Sequence, residues 1–428
     1  MKNKFKKIIS DFQDCTLSNV VKRGYDIPFS VNKIVSLIGV RRCGKTYVLY
    51  QMINELRQKV ANENIVYINF EDDRLYPIEL KDLDSLIEAY FEMYPDKRNE
   101  KVYFFFDEVQ NIQNWELFIR RIYDTLNVQI FITGSSSKLL SSELATSLRG
   151  RTITYEIFPF SFKEYLSYKN IEVNLNSSKS LSYIKNAFNT YLIEGGFAET
   201  FDLEERLQRK ILKDYMDMII YKDVIERYAI KNHSLLKHLI KYFFVNMGTL
   251  ISFNKLYNEY KSLGYKVGKD TLYDYVSYLQ EAYTVFTPTI HRMSVREENR
   301  HPKKLFVIDN GFKKLFDMSF SYDYSKLYEN QVFLHLRRHT DEIYYFKQKQ
   351  EVDFYAKTTT ELLVNVSYDI SNLETYKREV DALKEGMEFY NLKQSYLITS
   401  EKDEVVKIDN SKTIHIIPLW KWMLEDLG

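Results

Sequence analysis

Cysteine is almost missing from this chain. Only Cys15 and Cys43 occur among 428 residues, so neither a disulfide framework nor a zinc cluster can be assembled, and a reducing compartment is the simplest expectation. Long apolar runs are missing too. None approaches the roughly 20 residues that cross a bilayer, and the lysines at the N-terminus are not followed by the apolar stretch of a signal peptide. The expected location is therefore cytoplasmic, with no membrane partner. Net charge is nearly zero, with 60 basic against 59 acidic residues. A global electrostatic footprint for nucleic acid is absent, although a local basic face stays open. Glycine is scarce at 13 residues while tyrosine reaches 35, a bias we attribute to genomic composition. What the chain does contain is core material: 45% of it is apolar and 28% charged. That suits a globular protein of about three domains at roughly 150 residues each.

Between residue 33 and about residue 157, short apolar runs alternate with amphipathic stretches. Ile34 to Ile38, Ile65 to Phe70, Val102 to Phe106 and Gln129 to Thr133 read as strands, and Lys45 to Val60 and Trp115 to Asn127 as helices. Such alternation predicts an α/β domain with a parallel sheet covered on both faces. From Ser161 to about Tyr242 the chain turns helical and charged. Three helical patterns follow between Ser234 and Glu298, the third at Lys269 to Glu281. A strand-like Tyr283 to Thr289 and a basic turn through His291, Arg292 and Arg296 come next. Helices followed by a β-wing are the shape of a winged helix. Beyond Pro302, strand-like Leu305 to Ile308, Ile343 to Phe346, Val352 to Tyr355 and Leu362 to Val366 surround a helical Leu327 to Arg338.

The sharpest motif is Gly39-Val40-Arg41-Arg42-Cys43-Gly44-Lys45-Thr46, which fits G-x-x-x-x-G-K-[ST] between a strand and a helix. Glycines let backbone N–H groups turn inward onto phosphate oxygens. Lys45 is placed to neutralise β- and γ-phosphate charge, and the Thr46 hydroxyl to ligate Mg²⁺. The helix that begins there points its positive dipole end at the phosphates. A second motif, Val102 to Glu108, is an apolar strand ending in two acids. Asp107 is the expected Mg²⁺ ligand, and Glu108 the general base for an attacking water. The bland alternative for such a pair is a helix cap. The expected cofactors are ATP and Mg²⁺.

Several weaker candidates accompany them. Thr133 or Ser135 fits a γ-phosphate sensor, and equally an N-cap for a helix at residues 138–144. Arg149 and Arg151 fit a charge-stabilising role in cis or in trans, against a solvated basic turn. Glu71-Asp72-Asp73-Arg74 lies where ligands bind in such sheets, or is a surface turn. Cys43, inside the loop, is either a reactive thiol near a helix N-terminus or simply a small side chain.

With these motifs in place, the sequence resembles the prokaryotic AAA-type ATPases, archaeal-ATPase-like P-loop proteins whose C-terminal part is a restriction-endonuclease-like domain of unknown function. The likeness is carried by the loop at 39–46, by Asn69 to Leu75, and by Phe106-Asp107-Glu108-Val109-Gln110 with Trp115-Glu116. It continues through Thr133 to Ser136, Leu148 to Arg151, Pro159 to Tyr165, Glu194-Gly195-Gly196-Phe197 and Lys222-Asp223-Val224. It ends with Lys304 to Gly311, Tyr328-Glu329-Asn330 and Glu351-Val352-Asp353-Phe354. The resemblance implies an ATPase domain over residues 1–160, a helical lid and winged-helix-like region over 161–300, and a nuclease-like α/β domain over 301–428.

Nuclease cores of that kind need a helix acid, a strand acid and an E-x-K on the next strand. Glu329 and Asp353 match the first two, but Asn365 and Ser367 stand where Glu and Lys are required. Neither supplies the missing carboxylate or charge, so the expectation is a nuclease-like fold without cleavage activity, unless Lys347 or Lys357 takes over the lysine's role. Lys255, Lys261, Lys266, Lys269, Arg292 and Arg296 tilt the winged-helix region toward positive charge. That leaves DNA or an unidentified protein as its partner. Three functions compete: a switch or motor ATPase, a nucleotide-gated nuclease, and a non-hydrolysing nucleotide-binding scaffold.

Overall fold

The structure is a computed structural model. It describes residues 1–428 apart from 19, 135–146, 293, 299, 317–322, 410 and 426–428. The chain forms two compact units, Met1–Phe158 and Pro159–Gly428.

The first unit is built on a five-stranded sheet with order β2-β3-β4-β1-β5. Its strands are β1 (Ile34–Ile38), β2 (Ile65–Asn69), β3 (Val102–Asp107), β4 (Val128–Thr133) and β5 (Thr152–Glu156). Every pairing is parallel. A parallel sheet is covered on both faces, so its inner strands read as near-continuous apolar runs. Every residue of β1 is buried, and in β3 so are Phe104, Phe105 and Phe106. Phe105 stacks on Phe131 of β4 with ring centroids 4.6 Å apart. Helices α1 (Lys2–Gln13), α2 (Lys45–Leu56), α3 (Asp84–Met93) and α4 (Trp115–Thr125) complete the unit. In α1, Phe5, Ile8 and Ile9 form the buried stripe, and the helix packs on α3 and β2. Neither α1 nor β5 was expected. A single narrow stripe marks the helix, and β5 is a half-exposed edge strand without a continuous apolar run.

The second unit begins with helices Phe162–Tyr168, Ser178–Glu194 and Glu205–Met218; a π-helical turn, Ile219–Ile225, follows the third. Ser161 and Glu164 form a reciprocal capping box at 2.7 and 3.2 Å, so this part of the resemblance has a structural explanation. Next come helix His233–Val245, strand Leu250–Ile251, helices Phe253–Ser262 and Lys269–Glu281, and strand Val285–Phe286. The two strands pair antiparallel with Lys303–Lys304 and Phe306–Val307 respectively. These ladders run across residue 300, so within the unit the segments on either side of that position are joined.

The unit ends in a six-stranded mixed sheet of β6 (Ile343–Lys347), β7 (Glu351–Lys357), β8 (Glu361–Val366), β9 (Gln394–Thr399), β10 (Glu404–Lys407) and β11 (Thr413–Pro418). Their order is β6-β7-β8-β9-β11-β10. Helices α5 (Tyr324–Arg337) and α6 (Leu373–Tyr390) accompany it. Segment 289–292 extends the sheet at its edge: Ile290 bridges Tyr345 of β6, and Arg292 donates to the Lys347 carbonyl at 2.6 Å.

Candidate nucleotide site

Strand order places the chemistry of the first unit. Because β4 lies between β1 and β3, the loop leaving β1, Thr133 ending β4 and Asp107 ending β3 stand side by side. Leu37 is level with Thr133, Ile132 with Phe106, and Asn69 of β2 with Asp107. The carboxyl ends of parallel strands are where such sheets bind ligands.

The loop needs its glycines. Gly39 has φ +150°, and a Cβ there would lie 2.1 Å from the Ile157 carbonyl oxygen. Gly44, at φ +99°, is the residue from which α2 starts. Lys45 is buried, and its Nζ rests on the Gly39 and Val40 carbonyls at 3.1 and 3.2 Å. Carbonyl oxygens do not neutralise an ammonium, so Lys45 arrives at the loop as a cation ready for an anion. Val40 and Cys43 are buried, Arg41 is half-buried and Arg42 exposed. Burial withholds the Cys43 thiol from reagents, in contrast to the reactive-thiol expectation. Arg23 braces the loop from below. It is 1% exposed and donates to the carbonyls of Cys43 at 3.0 Å and Phe158 at 2.7 Å.

Asp107 is buried among hydroxyls. Its Oδ2 accepts from Thr46 Oγ1 and from Tyr67 Oη, each at 2.8 Å. Its Oδ1 accepts a short hydrogen bond from Thr133 Oγ1. Burial raises the Asp107 carboxyl above its usual range and the Glu108 charge adds to this, while the three hydroxyls pull it back. Thr133 also accepts from the Glu108 backbone N–H at 3.1 Å, so one hydroxyl ties both acids. Glu108 has φ +53°, and its carboxylate accepts a short hydrogen bond from the Gln110 amide. A left-handed non-glycine residue is costly and clusters at functional sites.

Tyr67 and Arg23 were not singled out by sequence. Tyr67 lies within an ordinary apolar strand, and only the β2–β3 pairing brings its hydroxyl to Asp107. Burial first, then the Asp107 charge, hold the Tyr67 phenol above its ordinary value, which keeps it a donor.

The remaining candidates lie elsewhere or are engaged. Asp72 accepts from Arg74, whose guanidinium also pairs with Asp11 at 2.7 Å, so these residues form a surface turn. Burial and then the Glu108 charge push the Glu71 carboxyl upward. Arg151 is not brought to the loop. It precedes β5 at the level of Ile34, the amino end of β1, about 16 Å from the loop at ~3.3 Å per residue. There its guanidinium pairs with Asp124 at 2.9 and 3.1 Å. A cis role for Arg151 is therefore corrected: the strand's length separates it from the phosphates of its own chain. Arg149 is an exposed residue of the same turn. Ser135 and the expected helix at 138–144 lie outside the described residues.

Residues 31–166 match a family described as an AAA domain, and residues 185–317 match a domain of unknown function, DUF8612. Uncharacterized protein MJ1544 of Methanocaldococcus jannaschii is 36% identical, over 97% of this chain and 94% of its own. An uncharacterized protein of Haemophilus influenzae is 30% identical, over 92% and 94%. The chain belongs to their family, and its first unit carries an AAA-type P-loop domain. Among solved structures, the Aeropyrum pernix ORC1 protein in complex with DNA aligns over 66% of this chain and 85% of its own. The identity is 14% and the TM-score 0.30, too low to add to the sheet topology already described.

Outside the AAA domain, three of the resemblance segments meet in a buried knot. Asp309 accepts from the backbone N–H groups of Gly196 at 2.6 Å and Gly311 at 2.8 Å. Asn330 donates to the Val307 carbonyl and to Asn310 Oδ1, both at 3.0 Å. A Cβ on Gly195 would fall 1.8 Å from Asp309 Oδ1. These residues serve packing. Glu329 and Asp353 do meet, through Lys304, which lies 3.4 and 2.5 Å from them. Asn365 accepts from the Asp353 N–H at 2.8 Å and donates to Glu379 at 2.6 Å. Ser367 donates to the Asp369 carbonyl at 3.2 Å. Lys347 and Lys357 pair instead with Glu351 and Glu342.

Proposed function

We propose that the AAA domain binds ATP with Mg²⁺ and hydrolyses it. The observation that carries this reading is the meeting of Thr46, Asp107, Thr133 and the Glu108 backbone beside the Gly39–Thr46 loop. Lys45 and the loop N–H groups bind the phosphates. Thr46 and Asp107 would hold Mg²⁺, which would supply positive charge to offset that of the phosphates. Thr46 and Asp107 are hydrogen-bonded to each other, so the two groups that would hold the metal already stand side by side. Glu108 takes the proton of the attacking water. Thr133 holds Glu108 and Asp107 in register, and the Tyr67 hydroxyl donates to Asp107, favouring its charged form. Steady-state hydrolysis of ATP by wild type, Lys45→Ala and Glu108→Gln tests the proposal. Loss in both variants is expected. Unchanged turnover in Glu108→Gln would remove the base from the mechanism.

We further propose that the helical region of residues 161–300 includes a winged helix and that residues 301–428 act as a nuclease-like domain without cleavage activity. The order helix, strand, helix, helix, strand from His233 to Phe286 supports the first. The Asn365 and Ser367 substitutions support the second. Exposed Lys255, Lys261, Lys266 and Lys269 favour duplex DNA as the partner of the helical region. Anisotropy titrations at two salt concentrations test this; affinity that does not fall with salt would sink it.

A further inference from the structure

The second unit holds an ionisable cluster for which the AAA domain has no use. Lys304 comes from the short strand Lys303–Lys304, which pairs with Leu250–Ile251. Its side chain is 3% exposed, and Nζ lies 2.5 Å from Asp353 Oδ1, 3.4 Å from Glu329 Oε2 and 3.7 Å from Glu351 Oε1. The carboxylates come from two elements, Glu329 from α5 and Glu351 and Asp353 from β7. The second oxygen of Asp353 accepts from the Val366 N–H at 2.8 Å. Behind it, Asn365 links Asp353 to Glu379, which is paired with Arg378.

Burying an ammonium costs several kcal/mol unless anions surround it. Burial alone would lower Lys304, but Asp353 and Glu329 outweigh it and hold the ammonium above its ordinary value. Burial pushes the Glu329 carboxyl upward and the Lys304 charge opposes it. Divalent oxygen-seeking cations gather carboxylates at about 2.0–2.6 Å. Here the carboxylates gather on nitrogen, and among the described residues no three His, Cys, Asp or Glu groups converge as metal ligands.

We propose that the Lys304 ammonium is the resident cation of this cluster and occupies the place that a divalent metal ion would take between Glu329, Glu351 and Asp353. The cluster is thus a latent Mg²⁺ or Mn²⁺ site, closed by the chain itself, in which Lys304 ties its strand to α5 and β7. The inference does not depend on ATP hydrolysis.

Electron paramagnetic resonance of Mn²⁺ with the nucleotide-free full chain tests it. Wild type and Asp353→Asn are expected to bind Mn²⁺ alike, because Asp353 holds lysine rather than metal. Lys304→Met is expected to gain about tenfold or more in Mn²⁺ affinity, and adding Asp353→Asn to it should abolish the gain. Wild-type Mn²⁺ binding that disappears in Asp353→Asn would overturn the proposal, as would a folded Lys304→Met protein that gains nothing. If Lys304→Met does not fold, the comparison of wild type with Asp353→Asn decides alone.

Discussion

Thr133→Val is the most informative single change in the AAA domain. Valine keeps the shape of threonine but removes Oγ1, and residue 133 is fully buried. Two hydrogen bonds vanish: the donation to Asp107 and the acceptance from the Glu108 N–H. A bond to a charged group contributes about 1.5–3 kcal/mol and a neutral one about 1 kcal/mol, so the loss comes to about 3 kcal/mol. For a unit of this size each kcal/mol moves the melting temperature by roughly 2–4 °C, predicting a fall of about 6–12 °C. If the hydroxyl also holds Glu108 in the transition state, kcat falls roughly 100-fold, since about 1.4 kcal/mol is tenfold in rate. Differential scanning fluorimetry and a coupled hydrolysis assay on the same preparation measure both. A melting temperature within ~1 °C of wild type, with kcat unchanged, would refute the claim that this hydroxyl ties the two acids.

Other residues give separate tests. Tyr67→Phe removes one of three donors to Asp107; it should raise the Mg²⁺ concentration needed for half-maximal hydrolysis several-fold while leaving metal-free nucleotide binding intact, as a metal titration would read. Gly39→Ala should abolish nucleotide binding, because its Cβ would strike the Ile157 carbonyl oxygen at 2.1 Å; fluorescent-nucleotide anisotropy checks this. Asp309 titrates near 7 in the folded chain against an ordinary 3.8, chiefly through burial. The folded state therefore holds a proton that the unfolded state releases between pH ~4 and ~7, and stability falls as pH rises through that window, by up to ~1.4 kcal/mol per unit. Melting temperatures against pH should slope down there in wild type and run flatter in Asp309→Asn.

The parts of the fold that sequence made legible are those with local signals. β1 runs from Ile34 to Ile38 as expected, because an apolar run interrupted only by Ser36 ends at a glycine of an unmistakable loop. The helix at Lys269–Glu281 also has the expected bounds, since its apolar spacing is regular and Gly268 precedes it. Edge strand β5 carries no such run, and helix α1 buries only Phe5, Ile8 and Ile9. In the site, the loop, Asp107 and Glu108 could be read from motifs. Tyr67 and Arg23 could not, nor, in the second unit, could the role of Lys304, because each reaches its partners through long-range contacts that no local pattern encodes. Arg151 failed for the complementary reason: its nearness in sequence to β4 says nothing about which end of the sheet it occupies.

The central claim is that Glu108, positioned beside Thr133, turns a nucleotide-binding loop into an ATPase. The most direct measurement is ATP hydrolysis by Glu108→Gln alongside its ATP affinity in the presence of Mg²⁺. The account predicts hydrolysis reduced at least ~100-fold with affinity preserved, and loss of both in Lys45→Ala. Equal turnover in wild type and Glu108→Gln, or nucleotide binding that survives Lys45→Ala unchanged, would contradict it.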